Sequence, residues 1–271
     1  MDMTLKESYL RGLIPADLKI FDAHAHVGEG EYSQAFIYTL PLDESIRLSR
    51  KYGIAGMAAS SMKALSGNVR EGNRRLFEMI DAHPEYVYGY VYYSPANEAE
   101  SFESILQYRD HPNFIGVKIH PRECKCPLTE GGYEKLWKYA VKNDILILCH
   151  TWETECENRA ADFGPILKAY PGLRLLLGHM GGTRNGVVES CRLAEKYPNV
   201  YLDINGSLYS ETWIEVLASK TDTTKLIFST DQTFYDPRII MGRVLFSDIR
   251  DDLKRDILYY NFRKMTGRKY V

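Results

Sequence analysis

Residues 145–150 read Ile-Leu-Ile-Leu-Cys-His, an unbroken apolar run followed by one imidazole. Such a run is typical of a parallel strand that is buried on both faces, because no face is exposed to solvent and polar residues need not alternate with apolar ones. The histidine stands at the carboxyl end of the run, which is the end that carries ligands in parallel α/β folds. The segment therefore predicts a parallel sheet with a functional residue at its edge.

Similar short apolar runs occur along the whole chain, at intervals of roughly 26 to 35 residues, close to one strand plus one crossover helix. Besides the run at Ile145, they begin near Lys19, Ile54, Tyr86, Phe114, Leu173, Val200 and Leu226. The intervening segments have helical spacing, as in Tyr133, Leu136, Trp137 and Ala140. Prolines mark the expected helix ends, since proline cannot continue a helix: Pro84, Pro112, Pro171 and Pro198.

Eight such units in 271 residues predict one closed (β/α)8 barrel domain over residues 1–271, because a barrel of this kind needs about 250 residues. A doubly wound open sheet of eight strands is the alternative. It is disfavoured because the first run continues as FDAHAHVGEG, residues 21–30, and lacks the glycine-rich dinucleotide fingerprint.

Composition narrows the classes of partner. Thirty-four basic residues face 36 acidic ones, for a net charge of −2, so no basic excess favours nucleic acid or an anionic membrane. No apolar run approaches the ~18 residues of a membrane span, and the amino terminus does not resemble a secretory signal. These features predict a cytoplasmic protein that acts on a small molecule.

The five cysteines also fit a reducing compartment, because an odd number in a chain of this size argues against a disulfide scaffold. Four of them lie between Cys124 and Cys156. A Cys-x-Cys pair with a third thiol could bind zinc, but structural zinc sites have wider spacing. Thiols packed as small hydrophobic groups are the favoured interpretation.

Polar residues stand at the carboxyl ends of five runs, and five of the seven histidines are among them. In a barrel these ends share one rim, where active sites are built. The set comprises His24 and His26 on run one, Lys118 and His120 on run four, His150 on run five, His179 on run six and Asp231 on run eight.

His24 and His26 are two residues apart and should project from the same side of the first strand, with Ala23 and Ala25 on the other side. Two imidazoles on one strand can bind the same divalent cation, and His150 and Asp231 can complete its coordination shell. Imidazole nitrogen with one carboxylate suits Zn²⁺, or Mn²⁺ or Fe²⁺, and leaves a position for water.

Each part of this pattern also has a structural interpretation. A single histidine at a strand end is usually structural, and His83 and His111, which precede prolines at helix ends, are predicted to be so. An HxH pair alone is as compatible with packing as with metal binding. The combination favours a metal site, because so many polar groups would be costly to bury unpaired.

The phrases FDAHAH, GVKIHP, ILCHT, LLLGHMGG and FSTD, in this order, resemble the amidohydrolase superfamily. The resemblance is to the branch of aminocarboxymuconate-semialdehyde decarboxylase and the "amidohydrolase 2" proteins, and it covers most of the chain. It implies a distorted (β/α)8 barrel with one divalent metal, most often zinc, at the strand ends. It assigns His24, His26 and His150 as ligands, Asp231 as a ligand or proton carrier, and His179 as the neighbour of the reacting water.

Four further residues are candidates for substrate binding: Lys118, His120, Arg122 and Trp152. In two-metal relatives a lysine at the position of Lys118 is carboxylated and bridges both ions; here an inward cation near the substrate is favoured. His120 either faces substrate or supports a ligand. Arg122 has the planar fork that matches a carboxylate, with a solvated loop charge as the equal alternative. Trp152 is expected in the pocket wall.

The resemblance implies a metal-dependent hydrolase that attacks an amide or lactone carbonyl with activated water, while Asp231 handles the proton. The alternative is non-oxidative decarboxylation of a small unsaturated or aromatic acid; the shortness of the chain favours hydrolysis slightly. A binding protein that retains the metal and a metal-free lactone hydrolase are weaker alternatives. Family members are often homodimers, so a homodimer is expected.

Overall fold

The computed structural model describes residues 3–28, 40–206 and 212–270. Eight parallel strands form one sheet in which each strand pairs with the next along the chain. They are β1 (Ile20–Val27), β2 (Ile54–Ser61), β3 (Val87–Tyr93), β4 (Phe114–Ile119), β5 (Leu146–His150), β6 (Arg174–Gly178), β7 (Val200–Asp203) and β8 (Leu226–Ile227). Every strand begins within one residue of the position that the apolar runs predict.

Helices alternate with the strands around the outside of the sheet. They are α1 (Leu5–Leu10), α2 (Leu42–Lys51), α3 (Met62–Leu65), α4 (Val69–Ala82), α5 (Glu98–Tyr108), α6 (Glu134–Lys142), α7 (Phe163–Ala169), α8 (Arg184–Lys196), α9 (Trp213–Lys220), α10 (Pro237–Leu245), α11 (Asp251–Arg255) and α12 (Asn261–Thr266). Helices α4, α5, α7 and α8 each end two to four residues before one of the four marker prolines, as expected.

The sheet closes between β1 and the segment that follows β8. The backbone N–H of Ala23 donates to the carbonyl of Phe228 at 3.1 Å, and that of Asp231 donates to the carbonyl of His24 at 2.9 Å. The side chain of Asp22 accepts a hydrogen bond of 2.9 Å from the backbone N–H of Thr230 across the same seam. The (β/α)8 barrel is therefore confirmed, and the doubly wound alternative is wrong.

Two hydrophobic layers hold the barrel together. The larger lies between the strands and the surrounding helices, and the smaller fills the barrel interior. The carboxyl-terminal segment seals the interior from below, where Tyr270 and Phe262 pack on Phe21 with ring centroids 4.2 and 5.3 Å away. Sealing one end leaves the carboxyl rim of the strands as the open end of the barrel.

Strand β1 contains an irregularity that the simple alternation does not predict. Its register against β2 shifts between Asp22 and Ala25. As a result Ala23 packs in the barrel interior, whereas Ala25 packs in the layer beneath the helices, so the expectation that both share one side is wrong. A bulge of this kind redirects side chains near an active site.

No helix in the described ranges is long and apolar enough to span a membrane.

Two glycines in different surroundings test the tight packing of β4 against β5. A Cβ added at Gly116 would lie 2.2 Å from the backbone oxygen of Leu146, whereas one added at Gly164 in α7 meets nothing within 4 Å. We expect Gly116→Ala to lower the free energy of unfolding in urea by about 1–3 kcal/mol. Gly164→Ala should leave it unchanged or raise it by about 0.5–1 kcal/mol. Equal effects of the two substitutions would contradict this packing.

Candidate metal centre

Three buried side chains converge at the carboxyl rim of the barrel. Ligand atoms of His24, His26 and Asp231 all lie within 4.8 Å of one another. Asp231 Oδ1 is 3.2 Å from His26 Nε2 and 3.6 Å from His24 Nε2. The two Nε2 atoms and the carboxylate thus face one common point, which is the arrangement that a divalent cation requires.

The hydrogen bonds of His24 fix the tautomer of its imidazole. Its Nδ1 lies 2.7 Å from Oδ2 of Asp203, and its Nε2 lies 2.6 Å from Nζ of Lys118. A lysine ammonium can only donate, so Nε2 must carry the lone pair and Nδ1 the proton. Asp203 is held in turn by the Ser229 hydroxyl and by the backbone and side chain of Asn205. His24 therefore presents the atom that a metal ligand needs.

His26 has a similar arrangement, with its Nδ1 3.1 Å from Oγ of Ser60 and its Nε2 facing Asp231. Burial lowers the pKa of His24 well below its usual value and also lowers that of His26. Burial acts to raise the pKa of Asp231, but His179, His26 and Lys118 outweigh it and leave that pKa below its ordinary value. Two neutral imidazoles and one ionised carboxylate fit a divalent metal.

The backbone that presents these groups is strained. Asp231 has φ of 57°, and His179 and Met180 have φ of 62° and 46°, all in the left-handed region that non-glycine residues rarely occupy. Gly182 follows at φ of 67°, and a Cβ there would lie 2.2 Å from the ring of Trp152. Non-glycine strain of this kind clusters at functional sites.

His150 lies beside this cluster and its ring atoms are not among the converging ligand atoms of the described residues. Its ring stacks on His120 with centroids 3.9 Å apart and an angle of 12°, and its Nε2 is 3.5 Å from Oε2 of Glu155. The ring of His179 is 4.5 Å away. The assignment of His150 as a fourth ligand stays a prediction.

A cavity of about 170 Å³ opens above the cluster. Its walls are His26, Leu65, His120, Arg122, Glu123, His150, Trp152, Glu155, His179, Asp231, Phe234 and Tyr235. Trp152 lies 5.9 Å from His179 between ring centroids, and Phe234 lies 5.2 Å from His26. Aromatic rings and imidazoles thus enclose most of the space next to Asp231.

The four candidate substrate residues occupy different depths. Lys118 is fully buried below the cluster, where burial lowers its pKa to about 8. His120 is buried in the wall, its pKa is lowered well below the usual value by burial, and its Nδ1 has no hydrogen-bond partner among the described residues. Arg122 is at the mouth and pairs with Glu155. Trp152 forms part of the wall.

The site also contains residues that were not predicted from the sequence, among them Asp203, Ser60 and Glu155. Asp203 ends β7 and could have been found by the same strand-end rule that found the histidines. Ser60 in β2 and Glu155 in the loop after β5 give no such signal, because serine and glutamate are common in these positions for other reasons. Their contacts depend on which elements the barrel brings together.

The cysteines form no metal-binding group of three in the described part of the chain. All five are free thiols. Cys124 Sγ lies 3.3 Å from the hydroxyl of Tyr133, and Cys149 is fully buried in the layer between strands and helices. Packing as small hydrophobic groups accounts for Cys149.

A closed parallel barrel with imidazoles and a carboxylate at its carboxyl rim defines a class of metal-dependent enzymes. The sequence profile of the amidohydrolase family matches residues 21–268. The chain therefore belongs to the amidohydrolase family, as the sequence motifs indicate. A search of curated proteins finds no significant relative.

Solved structures share this fold at low sequence identity. One is 5-carboxyvanillate decarboxylase from Sphingomonas paucimobilis, with a TM-score of 0.72, 10% identity and coverage of 93% of this chain and 100% of that chain. Another is a dihydroxybenzoic acid decarboxylase from Polaromonas sp. JS666, with bound manganese and the inhibitor 2-nitroresorcinol. Its TM-score is 0.70 at 18% identity, and the match covers 93% of this chain and 98% of that chain. A third is described as a probable 2-pyrone-4,6-dicarboxylic acid hydrolase from Acinetobacter baumannii, with citric acid bound. Its TM-score is 0.71 at 14% identity, and the match covers 92% of this chain and 99% of that chain.

Replacement of His24 tests the metal centre directly. We expect His24→Asn to lose bound divalent metal, measured by elemental analysis after incubation with Zn²⁺ or Mn²⁺ and desalting, because one of three converging ligand atoms is removed. His111→Asn is the matched control, since His111 forms an ion pair with Asp81 at 3.1 Å in a helix-to-strand turn. Full metal content in the His24 variant would refute the assignment.

The buried neutral histidines make stability depend on pH. Burial holds the pKa of His179 at about 3 and that of His120 well below its ordinary value, so the unfolded chain takes up protons that the folded chain cannot. Stability present above pH ~6.5 is lost as the pH falls. In EDTA, the unfolding free energy of the wild type should fall between pH 6 and pH 5. We expect the slope of this fall to be smaller in His120→Asn, by up to about 1.4 kcal/mol per pH unit. Identical slopes in urea melts of both proteins would contradict this.

Proposed function

We propose that this protein is a metal-dependent enzyme that removes carbon dioxide, without oxidation, from a small aromatic carboxylic acid. The observation that carries the proposal is the buried His24, His26 and Asp231 cluster at the base of a small cavity whose walls include three aromatic rings and four imidazoles. The substrate is a small molecule, and a homodimeric cytoplasmic enzyme remains our expectation.

One divalent ion would be held by His24, His26 and Asp231, with His150 as the expected fourth ligand. Zinc suits this donor set, and the manganese in the Polaromonas structure supports Mn²⁺ as an equal candidate. When bound, such an ion supplies Lewis-acid polarisation of a substrate oxygen and lowers the pKa of water.

The shape of the cavity favours a planar substrate. An apolar cavity of about 150 Å³ is known to hold one benzene ring, so about 170 Å³ suits a single ring with small substituents. Trp152 and the parallel pair of His120 and His150 offer flat surfaces on which such a ring can stack. Because the carboxyl-terminal segment seals the opposite end of the barrel, we expect the ring to enter from the rim.

In this proposal Asp231 carries the proton. Its ionised, buried carboxylate can accept a proton on the oxygen that would not bind the ion and deliver that proton to the ring carbon that bears the carboxyl group. The bond between that carbon and the carboxyl carbon then breaks, its electron pair restores the ring, and carbon dioxide leaves. His179 is neutral and adjacent, so it can orient the reacting groups without competing for the proton. The net reaction consumes one proton from solvent.

The decarboxylases among the solved structures of this fold support this choice over hydrolysis, which the sequence alone favoured slightly. These structures resemble this chain in fold alone, so the main support for the proposal comes from the cavity and the set of ligand residues together.

Hydrolysis of a lactone is the second candidate. It is favoured by the similarity to the Acinetobacter hydrolase and by the position of Asp231, whose ionised carboxylate can accept a proton from water as well as deliver one to a ring. The same three ligands serve either reaction, so product analysis must separate them.

A paired assay tests the proposal. Metal-loaded protein is incubated with hydroxylated benzoates and, in parallel, with pyrone lactones and N-acyl amino acids. We expect carbon dioxide from a benzoate and no incorporation of ¹⁸O from water into the aromatic product. Asp231→Asn should lower kcat by at least about 10²–10⁴-fold, because it removes the proton carrier and also one of the expected metal ligands. Turnover of lactones alone, with ¹⁸O in the acid formed, would establish the second candidate instead.

The same variant separates an enzyme from a metal-retaining binding protein. A protein that only binds would give no product with any compound and would bind the same ligand with or without Asp231.

A further inference from the structure

Glu155 connects two residues of the candidate site. Its Oε1 pairs with Nη1 of Arg122, and its buried Oε2 lies 3.5 Å from Nε2 of His150. The Glu155 side chain is 12% exposed, whereas that of Arg122 is 54% exposed. A carboxylate this enclosed is rare unless it is paired, so its contact with His150 is expected to matter to the site.

The two other imidazoles expected to bind metal follow a common pattern. His24 and His26 each have a polar partner on Nδ1, the nitrogen that faces away from the cluster: Asp203 at 2.7 Å and Ser60 at 3.1 Å. Such partners fix the tautomer and the ring orientation of metal-binding histidines, and many of them are carboxylates. For His150, the carboxylate against the ring is Glu155, and it lies beside Nε2 instead of Nδ1.

We infer that Glu155 is the positioning residue of His150, and this inference rests on the metal site of the proposed function. Glu155 accepts the proton on Nε2 of His150 and leaves Nδ1 as the nitrogen with the free lone pair. The ring plane is already set by the parallel stacking on His120, so the contribution of Glu155 is to select the nitrogen that can bind the ion.

Two features support a charged acceptor at this position. Burial acts to raise the pKa of Glu155, but hydrogen bonds from His150, Asn158 and Arg122 outweigh it and lower that pKa to about 2. The loop that carries Glu155 is also tied to the rim, because the N–H of Glu153 donates to the carbonyl of Gly181 at 2.9 Å. The carboxylate is thus ionised and held beside the ring.

A purely structural role is the competing explanation. In that case Glu155 would serve only to anchor the loop after β5 to Arg122, and removal of either partner would have the same effect. Arg122→Ala breaks this ion pair but leaves the contact between Glu155 and His150 intact, so the two roles can be separated.

The experiment compares wild type, Glu155→Ala, Glu155→Gln and Arg122→Ala, with Glu157→Ala as a matched control in the same loop. Affinity for Zn²⁺ is measured by chelator competition, and folding by thermal melts. We expect Glu155→Ala to weaken binding about 10–100-fold. Glu155→Gln should lose less affinity for Zn²⁺, because its amide oxygen can still accept the proton of His150. Arg122→Ala and Glu157→Ala should bind Zn²⁺ as wild type does.

Three outcomes would overturn the inference: unchanged affinity in a folded Glu155→Ala protein, equal losses in Glu155→Ala and Arg122→Ala, or a proton on Nδ1 of His150. The last is read from ¹⁵N-histidine NMR of the zinc-loaded wild type, with His150→Asn to assign the signal, and it decides the matter even if Glu155→Ala does not fold. Absence of metal binding by wild type would instead refute the proposed function itself.

Discussion

The hydrogen bond between Nδ1 of His24 and the buried carboxylate of Asp203 is the interaction on which the site depends. It joins the first strand of the barrel to the seventh and sets the tautomer that turns the Nε2 lone pair inward. Together with the ammonium of Lys118 at Nε2, it holds the fully buried imidazole in one orientation and one tautomer. Because both groups are removed from water, each must find its partner in the protein, and so the pairing is strongly specified.

The contact between β1 and the segment after β8, which closes the barrel, also positions the ligand residues. The hydrogen bond from the N–H of Asp231 to the carbonyl of His24 fixes the carboxylate relative to the imidazoles. The left-handed backbone at Asp231 then points its side chain across the rim toward them. Strain there is sustained by contacts on both sides of the seam, so the rigidity of the barrel keeps the ligand atoms close even though they come from opposite ends of the chain.

The chemistry follows from how these charges are arranged. Neutral imidazoles, one ionised carboxylate and the buried Lys118 ammonium lie within one small volume that faces an aromatic-walled cavity. A site of this kind can bind a cation and move one proton, which serves both decarboxylation and hydrolysis. The walls of the cavity therefore decide which substrate can bind, and the cluster of ligand atoms by itself does not choose between the two reactions.

The sequence by itself determined the barrel and most of its rim, because buried parallel strands require continuous apolar runs and the residue after each run falls at a known edge. Strand starts from Ile20 to Leu226, and the strand-end positions of the histidines and Asp231, could be read in this way. Tertiary structure alone decided the bulge in β1, the pairing of His24 with Asp203, and the placement of Glu155 against His150. These depend on distances between side chains far apart along the chain, and the spacing of residues within one strand or loop carries no information about them.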